Sequence, residues 1–329
     1  MQAIMVEKLK KKFGDFTAVD TISFEVGGGE LFGLLGPNGA GKTTTINMLS
    51  TLLKPTSGSA RLAGFDINQE MDEVRKYIGI VFQEPALDGE LTGRENLEFH
   101  AMMYGMPKDE RRKKIKEVLG MVELKDRADV IVNAYSGGMK RRLEIARGLM
   151  HKPKVLFLDE PTLGLDAQTR RKIWEYIKKL KKLGVTIILT THYMEEADTL
   201  CDRVAIIDRG KIVALDTPEK LKEMLGGDTV SLEVCKTCKS FMEELGKTKW
   251  AKSIKKHDGT LTITTEYGEK RIPDIFRIAQ KTKIKSIRLH KPSLENVYLH
   301  FTGKTIREEE LSQKERNKAM MAQRRRMHG

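Results

Sequence analysis

The chain has 329 residues, of which 40% are hydrophobic and 32% charged, a composition typical of a soluble protein long enough for two domains. It has no apolar run near the ~18–20 residues of a membrane-spanning helix, and its first residues lack the apolar segment of a signal peptide. Three cysteines are too few for a disulfide framework, so we expect a cytosolic protein.

The net charge of +13 leaves two interpretations open. A strong positive charge can indicate binding to nucleic acid or to an anionic membrane surface. A lysine-rich, solvated surface is favoured, because Ile173, Ile177 and Leu180 form a helical stripe that the neighbouring lysines largely avoid. We expect the basic segment 303–329 to be a disordered tail, with contact to anionic lipid as the alternative.

Strand-like and helix-like stretches alternate over the first 225 residues. Strands are predicted at 21–26, 30–36, the end of 74–83, 154–160, 184–192 and in a hairpin over 203–216 that turns at Arg209-Gly210. Helices are predicted at 42–53, 94–106, 109–122 and around 174–184. This alternation implies an α/β fold with a parallel sheet that binds ligands at the carboxyl ends of its strands.

A glycine-rich phosphate-binding loop follows the second of these strands. The stretch GPNGAGKTT lies between a strand and a helix, which is the context this motif requires and which argues against a chance glycine-rich turn. Its backbone N–H groups are expected to bind phosphates, Lys42 to reach the β- and γ-phosphates, and the Thr43 hydroxyl to ligate Mg²⁺. The predicted nucleotide-binding residues are Gly36, Pro37, Asn38, Gly39, Ala40, Gly41, Lys42, Thr43 and Thr44.

Two carboxylates end the apolar stretch VLFLDE. Asp159 is placed to hold Mg²⁺, and Glu160 is a candidate general base that polarises the attacking water. The alternative, an acidic pair on the surface, is disfavoured beside a phosphate loop.

A second phosphate-binding device lies in the stretch YSGGM. Ser136 is a good helix N-cap, Gly137 and Gly138 allow close approach of an anion, and the helix start attracts negative charge. Taken alone, this feature is more simply a structural cap.

The order of the motifs resembles that of the ATP-binding cassette (ABC) family over about residues 3 to 225. The order is phosphate loop, VFQEP, YSGGM, FLDEPTLGLD and TTHYMEEAD. The resemblance implies a P-loop ATPase domain with a RecA-like core, an antiparallel β subdomain and a helical subdomain. It also implies that the Ser-Gly-Gly element closes over the γ-phosphate held by a second copy, so we expect a homodimer that binds ATP and Mg²⁺.

Further roles follow from this resemblance residue by residue. Phe13 would stack on adenine, with ordinary packing as the alternative. Gln83, which we expect at the end of a strand, would contact Mg²⁺ and water and sense a membrane partner; the alternative is a polar turn residue. Asp166 would communicate across the dimer. His192 would contact the γ-phosphate, although a lone histidine is usually a structural hydrogen-bonding residue.

The sequence departs from the commonest Leu-Ser-Gly-Gly-Gln signature at Tyr135 and Met139. This variant, with PTLGLD and PSLENVYLHFTG, resembles the daunorubicin-resistance branch, which works with type-2 permeases. The expected function is therefore the ATP-hydrolysing subunit of an exporter of a hydrophobic drug, lipid or similar substrate. It would act peripherally at the cytoplasmic face of the membrane with a separate permease, and we expect no nucleic acid partner. The alternatives are a soluble ABC ATPase acting on ribosomes or nucleic acid, and a non-enzymatic ATP-binding regulatory subunit.

A second pattern begins at Gly226-Gly227 and predicts a small α+β domain. The expected division is 1–226 for the nucleotide-binding domain, 227–302 for the accessory domain and 303–329 for the tail. Strands are predicted at 229–234, 261–265 and 284–289, and helices near 240–245 and at 272–281. Cys235 and Cys238 are treated as incidental, because zinc usually needs four ligands and no second pair follows.

Overall fold

The computed structural model describes residues 2–234, 239–257, 260–279 and 284–303, and it forms two compact units that divide between Asp216 and Thr217. Each unit has its own hydrophobic core. Cys235, Cys238 and residues 304–329 lie outside the described residues. Within the described ranges, no helix combines the length and the apolar character needed to cross a membrane.

The strands of the first unit form two sheets. In chain order they are β1 (Gln2–Phe13), β2 (Phe16–Gly27), β3 (Leu31–Leu35), β4 (Ser57–Leu62), β5 (Phe65–Asp66), β6 (Ile78–Val81), β7 (Val155–Asp159), β8 (Thr186–Thr191), β9 (Arg203–Asp208) and β10 (Lys211–Asp216). The antiparallel sheet has the order β2-β1-β4-β5, and the larger sheet has the order β10-β9-β3-β8-β7-β6. The larger sheet is parallel except for the β9–β10 hairpin, which turns at Arg209-Gly210 as predicted.

The central strands are buried along their whole length, as expected of a parallel sheet covered on both faces. The core also joins the two sheets, since Phe24 of β2 stacks on Phe32 of β3 with ring centroids 5.1 Å apart. The carboxyl ends of β3, β7 and β8 therefore lie side by side at one edge of a rigid sheet.

The helices of the first unit cover this sheet or form a separate helical layer. They are α1 (Lys42–Leu49), α2 (Met71–Tyr77), α3 (Gly93–Met103), α4 (Lys108–Met121), α5 (Gly137–Gly148), α6 (Ala167–Lys182) and α7 (Met194–Leu200). On α6, Ile173, Ile177 and Leu180 are buried, and Lys178 and Lys179 are exposed, which agrees with a solvated lysine-rich face. Helices α3, α4 and α5 pack on one another as the helical subdomain, so the expected ATPase architecture is confirmed.

Several predicted boundaries in this unit were wrong. Helix α1 ends at Leu49 rather than residue 53, because Thr51 has a positive φ of 63° that an α-helix cannot contain. Strand β6 ends at Val81, so Gln83 does not end a strand. The carbonyls of Phe82 and Gln83 accept hydrogen bonds from Arg141 instead of continuing a sheet ladder. Strands β1, β4 and β5 were not predicted, because they lack a continuous run of apolar residues.

The second unit is a four-stranded antiparallel sheet with helices. Its elements are α8 (Pro218–Glu223), β11 (Asp228–Val234), α9 (Lys239–Gly246), β12 (Ala251–His257), β13 (Thr260–Thr265), α10 (Gly268–Ile278), β14 (Ile284–His290) and α11 (Leu294–Thr302). The sheet order is β12-β13-β11-β14, and Val230, Leu232 and Ile263 point into its core. The predicted α+β class is confirmed, while β12 and α11 were not predicted. The unit begins at Thr217 and so includes α8, which lies before the expected division at Gly227.

Candidate functional site

The phosphate loop connects the buried strand β3 to helix α1, and its shape depends on two glycines. A Cβ at Gly36 would lie 2.2 Å from the carbonyl oxygen of Ile207, so only glycine fits there. Gly41 has a φ of 108° and lies against the Ala18 carbonyl, which is 2.6 Å from the position of an added Cβ. The loop is thus fixed against β9 and β2 while Asn38 and Gly39 at its tip stay exposed.

The ammonium group of Lys42 is turned back into this loop. It donates to the carbonyl oxygens of Gly36 at 2.8 Å and Pro37 at 3.0 Å, and it lies 3.1 Å from Oε1 of Glu160. The Lys42 side chain is only 4% exposed. The loop therefore holds a buried positive charge beside the backbone groups expected to bind phosphates.

Asp159 and Glu160 lie where β7 ends, next to the loop. Oδ1 of Asp159 accepts a hydrogen bond from the Thr43 hydroxyl at 3.3 Å and another from the Thr190 hydroxyl. The Asp159 carboxylate and the Thr43 hydroxyl offer oxygen atoms as metal ligands. Such ligands suit Mg²⁺, which is usually bound by one or two carboxylates together with waters and substrate phosphates. No cluster of three or more His, Cys, Asp or Glu side chains capable of holding a metal occurs in the described part of the chain.

Glu160 lies between two cationic or proton-bearing groups. Its Oε1 faces Lys42, and its Oε2 is 3.0 Å from Nδ1 of His192, which follows the end of β8. Burial alone would raise the pKa of Glu160, but the hydrogen bond with His192 and the charge of Lys42 outweigh it and hold that pKa below its ordinary value. The structure thus brings Lys42, Glu160 and His192 together and keeps the Glu160 carboxylate ionised at neutral pH.

Gln83 lies outside this cluster. Its side chain is exposed in the loop after β6, and its carbonyl oxygen accepts a hydrogen bond from Arg141 at 3.3 Å.

Phe13 ends β1 in a hairpin whose second strand carries Ala18, the residue that packs on Gly41. Its ring is 49% exposed, with Nζ of Lys11 5.1 Å from the ring centroid. The ring is therefore on the surface and not part of the core.

The Ser-Gly-Gly segment begins α5, as predicted, and Ser136 is its N-cap, accepting from the backbone N–H of Met139 at 3.3 Å. Ser136 and Gly137 are exposed, whereas Gly138 is buried against α6, where a Cβ would lie 2.4 Å from Cγ2 of Thr169. This segment contacts the start of α6 and lies outside the cluster of Lys42, Glu160 and His192.

Asp166 caps α6 at the same place. It accepts from the backbone N–H of Thr169 at 2.9 Å and from the Thr169 hydroxyl at 2.7 Å. The two hydrogen bonds hold the pKa of Asp166 below its ordinary value. Tyr135, one of the two departures from the usual signature, is buried and donates to the Arg127 carbonyl at 2.6 Å, which explains a tyrosine at this position.

Several residues that support the cluster were not predicted from the sequence. The Thr190 carbonyl and hydroxyl accept the N–H of Glu160 at 3.1 and 3.0 Å, and Arg141 donates to the Glu160 carbonyl at 3.0 Å. Arg141 and Glu144 are buried on α5, although charged residues are usually exposed. The one sequence signal for their burial is their position among the apolar residues of α5.

Comparison with protein families gives two matches. Residues 19–163 match the model described as "ABC transporter", and residues 217–302 match "ATP-binding protein DrrA1-3-like, C-terminal domain". Together the two matches include the phosphate loop, the Ser-Gly-Gly segment, both carboxylates and most of the second unit.

Similar proteins extend over nearly the whole chain. The Linearmycin resistance ATP-binding protein LnrL of Bacillus subtilis (strain 168) is 41% identical over 310 residues, covering 93% of this chain and 100% of the relative. The Daunorubicin resistance ATP-binding protein DrrA2 of Streptomyces coeruleorubidus is 38% identical, covering 92% and 95%. Among solved structures, the ATP-binding cassette MJ0796, described as a dimeric post-hydrolysis state bound to ADP and Pi, is 32% identical with a TM-score of 0.59, covering 65% of this chain and 98% of that one.

Proposed function

Because this chain belongs to the ATP-binding proteins of ABC transporters, we propose that it works in an exporter as the subunit that hydrolyses ATP for a separate permease. It is an ATP-binding protein of a family that hydrolyses ATP, and it is similar to the linearmycin and daunorubicin resistance proteins over more than nine-tenths of its length. The observation that carries the proposal is the cluster of Lys42, Glu160 and His192 beside the phosphate loop, in which Lys42 and Glu160 are buried. A surface-binding module would not need a buried base beside a phosphate-binding lysine.

Lys42 would bind the γ-phosphate, and Glu160 would activate the water that attacks it. When ATP enters the loop, its phosphates compete with Glu160 for the Lys42 ammonium, since both are anions. The Glu160 carboxylate, released from Lys42, is then available as a general base to take a proton from the attacking water. His192, hydrogen-bonded to Glu160, orients that carboxylate and reaches the γ-phosphate.

Mg²⁺ completes the site in this proposal. Thr43 and Asp159 would hold it, and Gln83 would join them when its loop approaches. A bound Mg²⁺ neutralises phosphate charge that develops during transfer. Phe13 would stack on the adenine, since its exposed ring belongs to the hairpin that packs on the phosphate loop.

The Ser-Gly-Gly segment serves the ATP of a second copy. Ser136 and Gly137 are exposed at a helix start, and such a start attracts a phosphate. They lie outside the cluster that would bind this chain's own γ-phosphate. Two copies arranged head to tail would therefore close over two ATP molecules, with Asp166 beside Gly138 at the contact.

The surface of α3 is the proposed contact with the permease. Four apolar side chains are exposed there or just after it: Phe99, Met102, Met103 and Tyr104, at 62, 55, 72 and 43%. Beside them lies a cavity of about 230 Å³ between α3 and the loop after β6, lined by residues that include Ala86 and His100. An exposed apolar patch beside a groove is the kind of surface that receives a partner's helix. The chain would thus act peripherally at the cytoplasmic face of the membrane.

The proposed cargo is a hydrophobic drug, a lipid or a similar molecule. Relatives of similar identity are named for resistance to linearmycin and to daunorubicin. Because ATP-binding proteins of such similar sequence are named for different compounds, we infer that the permease, and not this subunit, selects the cargo.

Phosphate release from Mg·ATP by the purified full chain tests the enzymatic part. We expect hydrolysis by the parent, its loss in Lys42→Ala, and parental rates in the control Lys178→Ala, whose lysine is exposed on α6. Co-expression with a candidate type-2 permease tests transport, as ATP-dependent efflux that Lys42→Ala abolishes. No hydrolysis by the parent, or stimulation by RNA or DNA instead of by the permease, would contradict the proposal.

A further inference from the structure

Helix α5 directs three charged side chains at the loop that follows β6. Arg141, Glu144 and Arg147 are spaced three residues apart and therefore share one face of the helix. Arg141 is 6% exposed and Glu144 is fully buried. Buried charged groups are costly unless they are paired and hydrogen-bonded, so their partners indicate what they hold in place.

Arg141 joins the start of that loop to the end of β7. Its guanidinium donates to the carbonyl oxygens of Phe82 at 2.5 Å, Gln83 at 3.3 Å and Glu160 at 3.0 Å, and to the Glu144 carboxylate at 3.1 Å. The planar guanidinium has several donors in a fixed geometry, so it sets the distances among these groups. One side chain thus fixes the Gln83 peptide relative to the Glu160 peptide.

The other end of the loop is held by the same helix face. The Glu144 carboxylate accepts from the Ala86 N–H at 2.7 Å, and Arg147 donates to the Ala86 carbonyl at 2.8 Å. Arg147 also lies 3.6 Å from Glu144. Loop 82–86 is therefore attached to α5 at both ends, and any movement of the loop acts on these side chains.

The backbone at Glu160 makes this attachment consequential. Glu160 has a positive φ of 47°, a conformation that is uncommon for a residue other than glycine and that persists only where the surroundings enforce it. Its N–H is bound by Thr190 and its carbonyl by Arg141. Arg141 thus supplies one of the restraints that direct the Glu160 side chain toward Lys42 and His192.

We propose that Arg141 is a positioning residue for ATP hydrolysis, which sets the direction of the Glu160 carboxylate according to the position of loop 82–86. The inference rests on the proposed role of Glu160 as the base. The loop leads into α3 and its exposed apolar surface, so a permease that displaces the loop would act on Glu160 through this guanidinium. Arg141 binds the carbonyl of Glu160 and not its carboxylate, so it would act on hydrolysis indirectly, through the Glu160 and Gln83 peptides.

Substitution of Arg141 by lysine tests the proposal, because lysine keeps the charge and loses the planar set of donors. The matched control is Arg142→Lys: Arg142 neighbours Arg141 on α5 and also donates to carbonyls, of Val122 at 3.1 Å and Glu123 at 3.4 Å, away from Glu160. For the full chain we would measure phosphate release under saturating Mg·ATP and, separately, the Kd of ATP.

We expect Arg141→Lys to lower kcat by about 10- to 100-fold, the size of effect that a displaced catalytic group produces. The Kd of ATP should change by less than about two-fold, since the phosphate loop is untouched, and Arg142→Lys should match the parent. In a Glu160→Gln background, adding Arg141→Lys should leave the residual rate unchanged, because there is no carboxylate left to aim. A purely structural role would lower the rates of both backgrounds.

If Arg141→Lys does not fold, the triple variant Arg141→Met, Glu144→Met, Arg147→Met replaces the whole charged group by apolar side chains, a change that is often neutral for stability. It should fold, bind ATP and show the same loss of kcat. Parental kcat in either folded variant, or a loss of ATP affinity as large as the loss of kcat, overturns the proposal. A parent that hydrolyses no ATP overturns the proposed function itself, which is a different result from a parent and an Arg141→Lys variant that are equally active.

Discussion

Replacement of Glu160 by glutamine separates two roles of its carboxylate, because it is both the proposed base and the buried partner of Lys42. The two side chains are 6% and 4% exposed with 3.1 Å between their charged atoms. Glutamine keeps an oxygen that can accept from Lys42 but removes the negative charge. The variant should therefore lose hydrolysis and also lose stability when no nucleotide is bound.

The size of each effect follows from the contacts. Loss of a general base lowers kcat by about 10²- to 10⁴-fold. Removing one partner of a buried ion pair costs about 3–5 kcal/mol. Here the Gly36 and Pro37 carbonyls and the glutamine oxygen still hold the ammonium, so we expect about 2 kcal/mol, nearer the cost of an impaired hydrogen bond to a charged group. For a unit of this size, that lowers Tm by about 4–8 °C.

Bound ATP should reverse the second effect. Its phosphates would supply the negative charge that Lys42 has lost, so the Tm difference between Glu160→Gln and the parent should shrink with saturating ATP. Thermal unfolding with and without ATP, alongside phosphate release, measures both effects. The control is Glu175→Gln, an exposed carboxylate on α6. Near-parental turnover would remove Glu160 from the role of base, and an unchanged Tm without ATP would show that the pair with Lys42 does not stabilise the fold.

Three further predictions concern pH, the dimer and the division of the chain. The pKa of Glu160 lies below its ordinary value of 4.5, so the ionised carboxylate stabilises the fold at pH values above 4.5. The Tm difference between the parent and Glu160→Gln should therefore be constant near neutral pH and vanish as the pH falls through the lowered pKa. A Tm difference that grows on acidification would contradict this prediction. In the Glu160→Gln background, ATP should drive dimerisation, measured by light scattering, and Gly137→Asp should abolish this dimerisation without weakening ATP binding by the monomer. Gly137 is substituted rather than Gly138 because a Cβ added at Gly137 meets only Leu165, at 3.7 Å, and so leaves the fold undisturbed. A chain ending at Asp216 should fold and bind ATP, since the first unit has its own core; insolubility or loss of ATP binding would show that the two units depend on each other.

The architecture could be read from the sequence where the signal is local. Strands β3, β7 and β8 are short continuous apolar runs because both faces of the parallel sheet are covered, and such runs are recognisable without a structure. Strand β1 was not predicted, because its pattern of buried and exposed positions is irregular and its register with β2 shifts several times. The end of β6 was misplaced for a different reason, since a side chain distant in sequence takes the next carbonyls out of the ladder.

The sequence by itself predicted which residues of the phosphate loop would bind ATP, because glycines, lysine and hydroxyls at fixed spacing belong to one continuous turn of backbone. It also placed Asp159, Glu160 and His192 at strand ends, and a parallel sheet brings such ends to one edge. Only the tertiary structure decided that Lys42 pairs with Glu160, and that a buried arginine on α5 joins the Gln83 and Glu160 peptides. These contacts join residues far apart along the chain, and their geometry depends on how β6, β7 and α5 pack, which no local pattern of residue types records.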